Sequence, residues 1–273
     1  MNGTIYKFDR GMLHGSDIYI HAKRDSIQAK KHWHNYYEII FYKKAEGYCI
    51  LNGEKREIKD GCLFLLSPKD FHEIVAEDKD GSYTLIISFN ERMIDSSVID
   101  AVTKGPVLSY EISNELCDKL TELYKVFRSE GKYRDQHLRH LFNCILLEVL
   151  EKENVLVDNG KDISHIVRES ISLMLSNPTA DLSLGFFAKK FHITEAYFSR
   201  LFHKQAGVTF KQYLTSLRLE YARQLLEENK IPIIDVGYEC GFNTPSQFYR
   251  AFKRVYKTAP SEYRQSKNSN TSR

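Results

Sequence analysis

A register of fifty residues runs through the last third of the chain. Thr194, Phe198, Arg200, Phe202 and Lys204 recur as Thr244, Phe248, Arg250, Phe252 and Arg254, and Tyr213 recurs as Tyr263. Matches of single aromatics arise by chance; a register kept over some twenty residues does not. Each copy opens on a threonine suited to cap a helix, and Pro245 suits the first helical position. Phe198, Leu201 and Phe202 fall on one face of the first helix. Phe248, Ala251, Phe252 and Val255 fall at i, i+3, i+4 and i+7 on the second. Away from these stripes lie Ala196, Ser199, Arg200 and His203 in one copy and Ser246, Tyr249, Arg250 and Lys253 in the other. A short helix precedes each, and Gly241-Phe242-Asn243 marks the second turn. The spacing predicts two helix-turn-helix units.

Between them the periodicity predicts one long helix over about Thr209 to Glu228, with Phe210, Leu214, Leu217, Tyr221 and Leu225 as its core stripe and Asn229 as terminator. About twenty residues at 1.5 Å each make a rod of roughly 30 Å. One turn of DNA is about 34 Å, so such a rod holds two recognition helices in successive major grooves of one face. The charge agrees. From Leu182 onward there are 15 Lys and Arg against 7 Asp and Glu, while the first 181 residues hold 24 against 29. A basic final third on an acidic body suits a polyanionic partner for that third alone. A solvated charged surface is the plainer alternative.

The front of the chain follows a different period. Tyr37–Tyr42, Tyr48–Leu51, Leu63–Leu66 and Tyr83–Phe89 are rich in aromatic and β-branched residues, and Asn52-Gly53, Asp60-Gly61, Ser67-Pro68 and Asp80-Gly81 punctuate them. Many short strands at this spacing predict a barrel or sandwich of jelly-roll type. Within it lies His32-Trp33-His34-Asn35-Tyr36-Tyr37-Glu38. In one unbulged strand His32, His34 and Glu38 would share a face, and His72 returns after Pro68. Three His and a carboxylate suit a divalent metal, or a metal-free pocket for a polar small molecule.

From Ser113 the pattern turns helical. Leu116, Leu120, Leu123 and Phe127 mark one helix. A second, from about Arg134 to Lys152, carries Leu138, Leu141, Phe142, Ile145, Leu146, Val149 and Leu150 on a wide stripe. That pair can cover the barrel or meet a second copy of the chain. Residues 153–162 lose periodicity and read as a linker, and helix resumes at about Ile163, ending before Asn177-Pro178. Ser183 caps a further short helix, with Gly185 a weak point in its first turn. The expected organisation is α+β: a barrel domain with helices over 1–152, a linker over 153–162, an all-α double helix-turn-helix over 163–264, and a disordered tail over 265–273. Five scattered cysteines without a CxxC favour free thiols of a cytoplasmic protein. No apolar run of spanning length and no signal segment at the start argue against a membrane partner and against export.

The segment Leu182–Arg264 resembles the DNA-binding domain of the AraC/XylS family. The resemblance rests on Gly241-Phe242, the FxRxFK core from Phe248 to Lys253, and the closing Pro-x-x-Tyr-Arg from Pro260 to Arg264. SRLFHK, Gly207 and RLEYARQLL carry it in the first half. Gly185-Phe186 depart from it, where relatives usually carry polar helix formers. The front half resembles a cupin through HxHxxxE, Gly47, Gly61, Pro68 and His72, although the gap from Glu38 to Gly47 is long. The resemblance implies a sequence-specific, effector-responsive transcription regulator, an activator acting as a homodimer with RNA polymerase among its partners and a sugar as one effector class. It implies base reading by Ala196, Ser199 and Arg200 and by Thr244, Pro245, Ser246, Tyr249 and Arg250, with Lys204, Lys253, Arg254 and Lys257 at phosphates. His32, His34, Glu38 and His72 would bind the effector and are the ligands of metal-binding cupins. The rival readings are a cupin enzyme or metal-responsive regulator using those four residues, and a purely structural DNA-bending protein.

Overall fold

Two runs in the front half, Tyr37–Tyr42 and Cys62–Leu66, are buried along their whole length rather than on alternate residues. Strands of that kind need cover on both faces, which sets the layering of the domain around them. The computed structural model describes residues 16–24, 26–104, 106–110, 112–152, 163–228 and 231–270, and the chain divides into two units, 1–164 and 165–273.

In the first unit nine strands are seen among the described residues: β1 (Ile18–Lys23), β2 (Ile27–His32), β3 (Tyr37–Tyr42), β4 (Ala45–Leu51), β5 (Glu54–Ile58), β6 (Cys62–Leu66), β7 (His72–Asp78), β8 (Thr84–Phe89) and β9 (Val107–Ser109). They form two antiparallel sheets, ordered β1-β8-β3-β6-β9 and β2-β7-β4-β5. Alternate residues of β3 and β6 (Ile40, Tyr42, Phe64, Leu66) meet Cys49, Ile74 and Ala76 of the smaller sheet in one core. The intervening residues (Ile39, Phe41, Leu63, Leu65) point the other way. After the short helix α1 (Ile99–Lys104), α2 (Asn114–Arg128) and α3 (Arg134–Lys152) pack on that second face. The stripe Leu138, Phe142, Ile145, Leu146 and Val149 is buried there, so the larger sheet rather than a second copy of the chain takes it. Gly47 on β4 permits the pairing with β7: at φ +145°, an added Cβ would lie 2.1 Å from the Val75 carbonyl oxygen.

The second unit is helical: α4 (Ile163–Ser176), α5 (Leu184–Lys190), α6 (Glu195–Ala206), α7 (Phe210–Glu228), α8 (Ile233–Glu239), α9 (Pro245–Tyr256) and α10 (Pro260–Asn270). Ser183, Thr194 and Thr244 cap α5, α6 and α9, their side-chain oxygens accepting from the N–H groups of Phe186, Tyr197 and Gln247. The expected single stripe on α7 is in fact two. Phe210, Tyr213 and Leu217 are buried, and Phe210 and Tyr213 pack against rings of the first helix-turn-helix, Phe187, Phe198 and Phe202. Leu219, Ala222 and Leu226 are buried with Val236, Phe248 and Phe252 of the second helix-turn-helix. At about 100° per residue these sets lie on roughly opposite sides of the rod. One helix serving two cores must change face midway, and a single-period reading averages the two. The expected tail also differs: residues 265–270 continue α10, since no breaker interrupts the chain after Tyr263. The expected linker, 153–162, and the terminator Asn229 lie outside the described residues.

Candidate functional site

In the second unit α6 and α9 carry the candidate reading surface. Phe198, Leu201 and Phe202 anchor α6 inward, leaving Ala196, Arg200 and Lys204 exposed and Ser199 half-buried. Phe248 and Phe252 anchor α9, leaving Thr244, Ser246, Arg250, Lys253, Arg254 and Lys257 exposed and Pro245 half-buried. No carboxylate pairs with Arg200 or Arg250 among the described residues, and Arg250 only donates from Nε to the Ser246 carbonyl, 3.2 Å away. Both guanidinium forks therefore have N–H groups to offer an outside acceptor. Tyr249 is less available than its stripe suggests, because it packs half-buried against the second core, edge-on to Phe248. Sequence reasoning missed Gln247, exposed in the first turn of α9 and lining a cleft with Arg250 and Arg254. Its position one turn ahead of Arg250 was the available signal; the amide suits bidentate contact to adenine.

The second half of this unit is tied to α7 by charges that periodicity does not reveal. Within α7 Arg223 bridges Glu220 and Glu227, and from α10 the Tyr263 hydroxyl donates to that same Glu227 at 2.7 Å while Arg264 donates to the Ile231 carbonyl at 2.8 Å. The closing Tyr-Arg thus anchors α10 to the end of α7 and to the segment that follows it.

In the first unit His34, Glu38 and His72 converge, and their candidate ligand atoms all lie within 4.8 Å of one another. The expectation of one continuous strand is corrected: β2 ends at His32 in the smaller sheet, the chain crosses over through Trp33–Tyr36, and Glu38 stands on β3 of the larger sheet. The motif therefore bridges the sheets at one end of the sandwich. His34 and His72 are fully buried, and Glu38 is 5% exposed. The His34 Nδ1 lies 2.7 Å from the Tyr36 carbonyl, which can only accept, so Nδ1 carries a proton and Nε2 is the atom turned into the cluster. His34 Nε2 faces Glu38 Oε2 at 3.4 Å, and His72 Nε2 faces the same oxygen at 3.5 Å. Neither Nε2 has a hydrogen-bond partner, nor does His72 Nδ1. Burial pushes the Glu38 carboxyl up, but His34 and His72 outweigh it and hold the group well below the usual carboxylate range.

These separations suit a cation. Ligands about 2.1 Å from a tetrahedral metal stand about 3.4 Å from each other. His32 does not join the set as expected. Its Nδ1 is engaged by the Lys30 carbonyl at 2.8 Å, while its ring lies 4.1 Å from that of His72 as a cross-strand neighbour. Burial first, then His72 and His34, pushes its imidazole down to about 3, so it stays neutral.

Comparison with known proteins agrees with both halves. Residues 15–165 match the model of an AraC-like ligand binding domain, and residues 187–266 match a helix-turn-helix domain. The HTH-type transcriptional activator RhaS of Mannheimia succiniciproducens is 26% identical over 244 residues, covering 86% of this chain and 88% of that one. The melibiose operon regulatory protein of Escherichia coli K12 is 22% identical, covering 90% and 86%. Among solved structures, an apo form of ToxT from Vibrio cholerae covers 91% of this chain and 97% of its own at 17% identity, with a TM-score of 0.45. With its ligand-binding model spanning more than half the residues and a helix-turn-helix domain following, the chain belongs to the AraC family of transcription regulators.

Proposed function

We propose that this regulator reads a two-part operator with α6 and α9, and that its front unit carries the signal. The observation that carries this reading is the pair of exposed basic faces repeated at the two ends of α7. The rod of 19 residues is about 28 Å long, close to one DNA turn. Arg200 and Arg250 read guanine edges, Ser199, Ser246 and Gln247 add polar contacts, and Ala196 and Pro245 offer apolar ones. Thr244 spends its oxygen as a cap and contributes chiefly by starting the helix. Lys204, Lys253, Arg254 and Lys257 meet phosphates, and Tyr249 supports the helix from its flank. The protein is a cytoplasmic homodimeric activator rather than an enzyme, in keeping with relatives named as activators and operon regulators. A second copy would use a face other than the buried α3 stripe, and light scattering at micromolar concentration tests the dimer.

His34 Nε2, His72 Nε2 and Glu38 Oε2 hold a divalent cation, with His32 outside the set. The burial of both rings closes them to a sugar-sized molecule, whereas an ion fits between two buried ring nitrogens that lack a hydrogen-bond partner and the carboxylate oxygen they face. When bound, the ion would supply positive charge and an open coordination position for a polar effector. The melibiose operon relative supports a sugar as one effector class for the front unit. The test is selection of bound duplexes from a random DNA pool, repeated with candidate sugars. A recovered two-part sequence whose affinity falls steeply with salt and shifts with one sugar supports the reading. A flat salt response with no enriched sequence overturns it.

A further inference from the structure

Arg218 lies on the flank of α7 between the two faces that the rod buries. Its Nε donates to the Pro178 carbonyl at 2.9 Å and its Nη2 to the Ala180 carbonyl at 3.0 Å. Those carbonyls belong to the turn that leads into Ser183 and α5, the entrance of the first helix-turn-helix. The other side of the same guanidinium lies against the turn of the second helix-turn-helix. A Cβ added to Gly241 would stand 3.0 Å from Arg218 Cζ and Nε and 3.1 Å from Nη2. Gly241 sits at φ +78° and its N–H closes on the Tyr238 carbonyl, so this turn is fixed at the contact. One planar side chain thus touches the entrance of one helix-turn-helix, the rod and the turn of the other. The guanidinium is half-buried, both of its described hydrogen bonds go to carbonyls, and the Asp181 carboxylate adds an electrostatic attraction from the same entrance turn. Lysine has a single donor centre and cannot span two carbonyls and pack flat against a turn at once.

We propose that Arg218 is the positioning residue that fixes the offset between α6 and α9, and so sets which spacing of operator halves the protein accepts. This rests on the DNA reading above. One inserted base pair moves a half-element by about 3.4 Å and turns it by about 35°, a change a locked pair of helices cannot follow. An unlocked pair follows part of it at the expense of affinity.

The experiment uses the full chain and the duplex it selects from the random pool, with versions carrying one or two base pairs inserted between the halves. Wild type is expected to lose roughly thirtyfold or more on a single insertion, the loss of most of one helix's base contacts. Arg218→Ala is expected to lose roughly tenfold on the native duplex yet only about threefold more on the insertion. Arg218→Lys is expected to fall between them. Gly241→Ala, which pushes on the guanidinium from the other side, is expected to flatten the spacing profile in the same way. Far-UV circular dichroism and low-salt binding to random DNA report folding independently of spacing. Should Arg218→Ala not fold, Arg218→Lys and Gly241→Ala decide the matter. A variant with weakened binding but the wild-type spacing profile shows a merely structural role and overturns the proposal. Failure of wild type to select any duplex sinks the DNA reading instead, so the two failures are distinct.

Discussion

Gly47→Ala is the substitution whose cost the front unit states most directly. The added Cβ would stand 2.1 Å from the Val75 carbonyl oxygen and 2.8 Å from Ala76 Cα, and both obstacles are backbone of β7. Neither can turn aside as a side-chain tip could, so β4 and β7 must part where Gly47 pairs with Ala76. Opening the ladder there forfeits about two backbone hydrogen bonds at about 1 kcal/mol each. Alanine at φ +145° adds about 1–3 kcal/mol of backbone strain, a region that glycine alone occupies freely. The total is about 3–5 kcal/mol, a large part of a domain's usual 5–15 kcal/mol. Trp33 provides the assay. It is the single tryptophan of the chain, is 2% exposed and belongs to the front unit, so its fluorescence follows that unit's unfolding. At about 2–4 °C per kcal/mol for a unit of this size, the midpoint should fall by roughly 10 °C. Gly53→Ala is the control: its φ is +93°, but an added Cβ meets nothing within 4 Å, so only the backbone part of the cost applies. Equal shifts for the two variants would show that the approach of β7 contributes nothing, and the reasoning would fail.

Arg250→Ala should weaken binding to the selected duplex by about 1–3 kcal/mol while barely changing binding to random DNA; equal losses in a competition assay would place Arg250 on the backbone only. Lys257 caps α9 at φ 63°, a left-handed position that Gly207 fills at the end of α6. Lys257→Gly should therefore raise the stability of the helical unit by about 1 kcal/mol in a circular-dichroism melt while lowering the salt slope of DNA binding by about one. A fall in stability would show that the lysine's own bond to the Arg254 carbonyl outweighs the strain. Cobalt(II) should give visible absorption bands with the wild-type chain, lose them with Glu38→Gln and keep them with His32→Ala. Bands lost equally in both variants would return His32 to the ligand set. Zinc at a hundred times its dissociation constant should stabilise the Trp33 transition by about 2.7 kcal/mol, and a chelator should reverse this.

What the sequence disclosed depended on whether one period served one partner. β6 reads as a continuous apolar run and β3 as one interrupted only by Glu38, as strands covered on both faces should, and α6 and α9 read cleanly because each buries a single stripe. α7 was misread because its halves bury opposite faces, and a single stripe drawn through Leu217 and Tyr221 crosses the change. The histidine motif was legible in residue type but not in placement. Period two assumes a strand that continues, whereas this chain leaves one sheet at His32 and enters the other by Tyr37. That crossing leaves His32 outside the cluster, while His34, Glu38 and His72 come together as expected. The repeat shows the same limit. α6 and α9 begin at Glu195 and Pro245, fifty apart, but the preceding helices begin at Leu184 and Ile233, only forty-nine apart. The turn bonds agree: Ile193 closes on the Ala188 carbonyl in one helix-turn-helix and Phe242 on that of Gly237 in the other. The second turn thus holds one more residue, and the likeness vanishes upstream of Thr194 when a single offset is applied. With the shift allowed, buried Phe187 and Ala188 fall on buried Val236 and Gly237. Gly237 is small for a reason of packing, since a Cβ there would lie 3.0 Å from the Phe248 ring. The extra residue lies in the turn where Gly241 meets Arg218. The two helix-turn-helix units are therefore copies in their recognition helices and differ by one residue in the turn of the second, the turn whose Gly241 packs on Arg218.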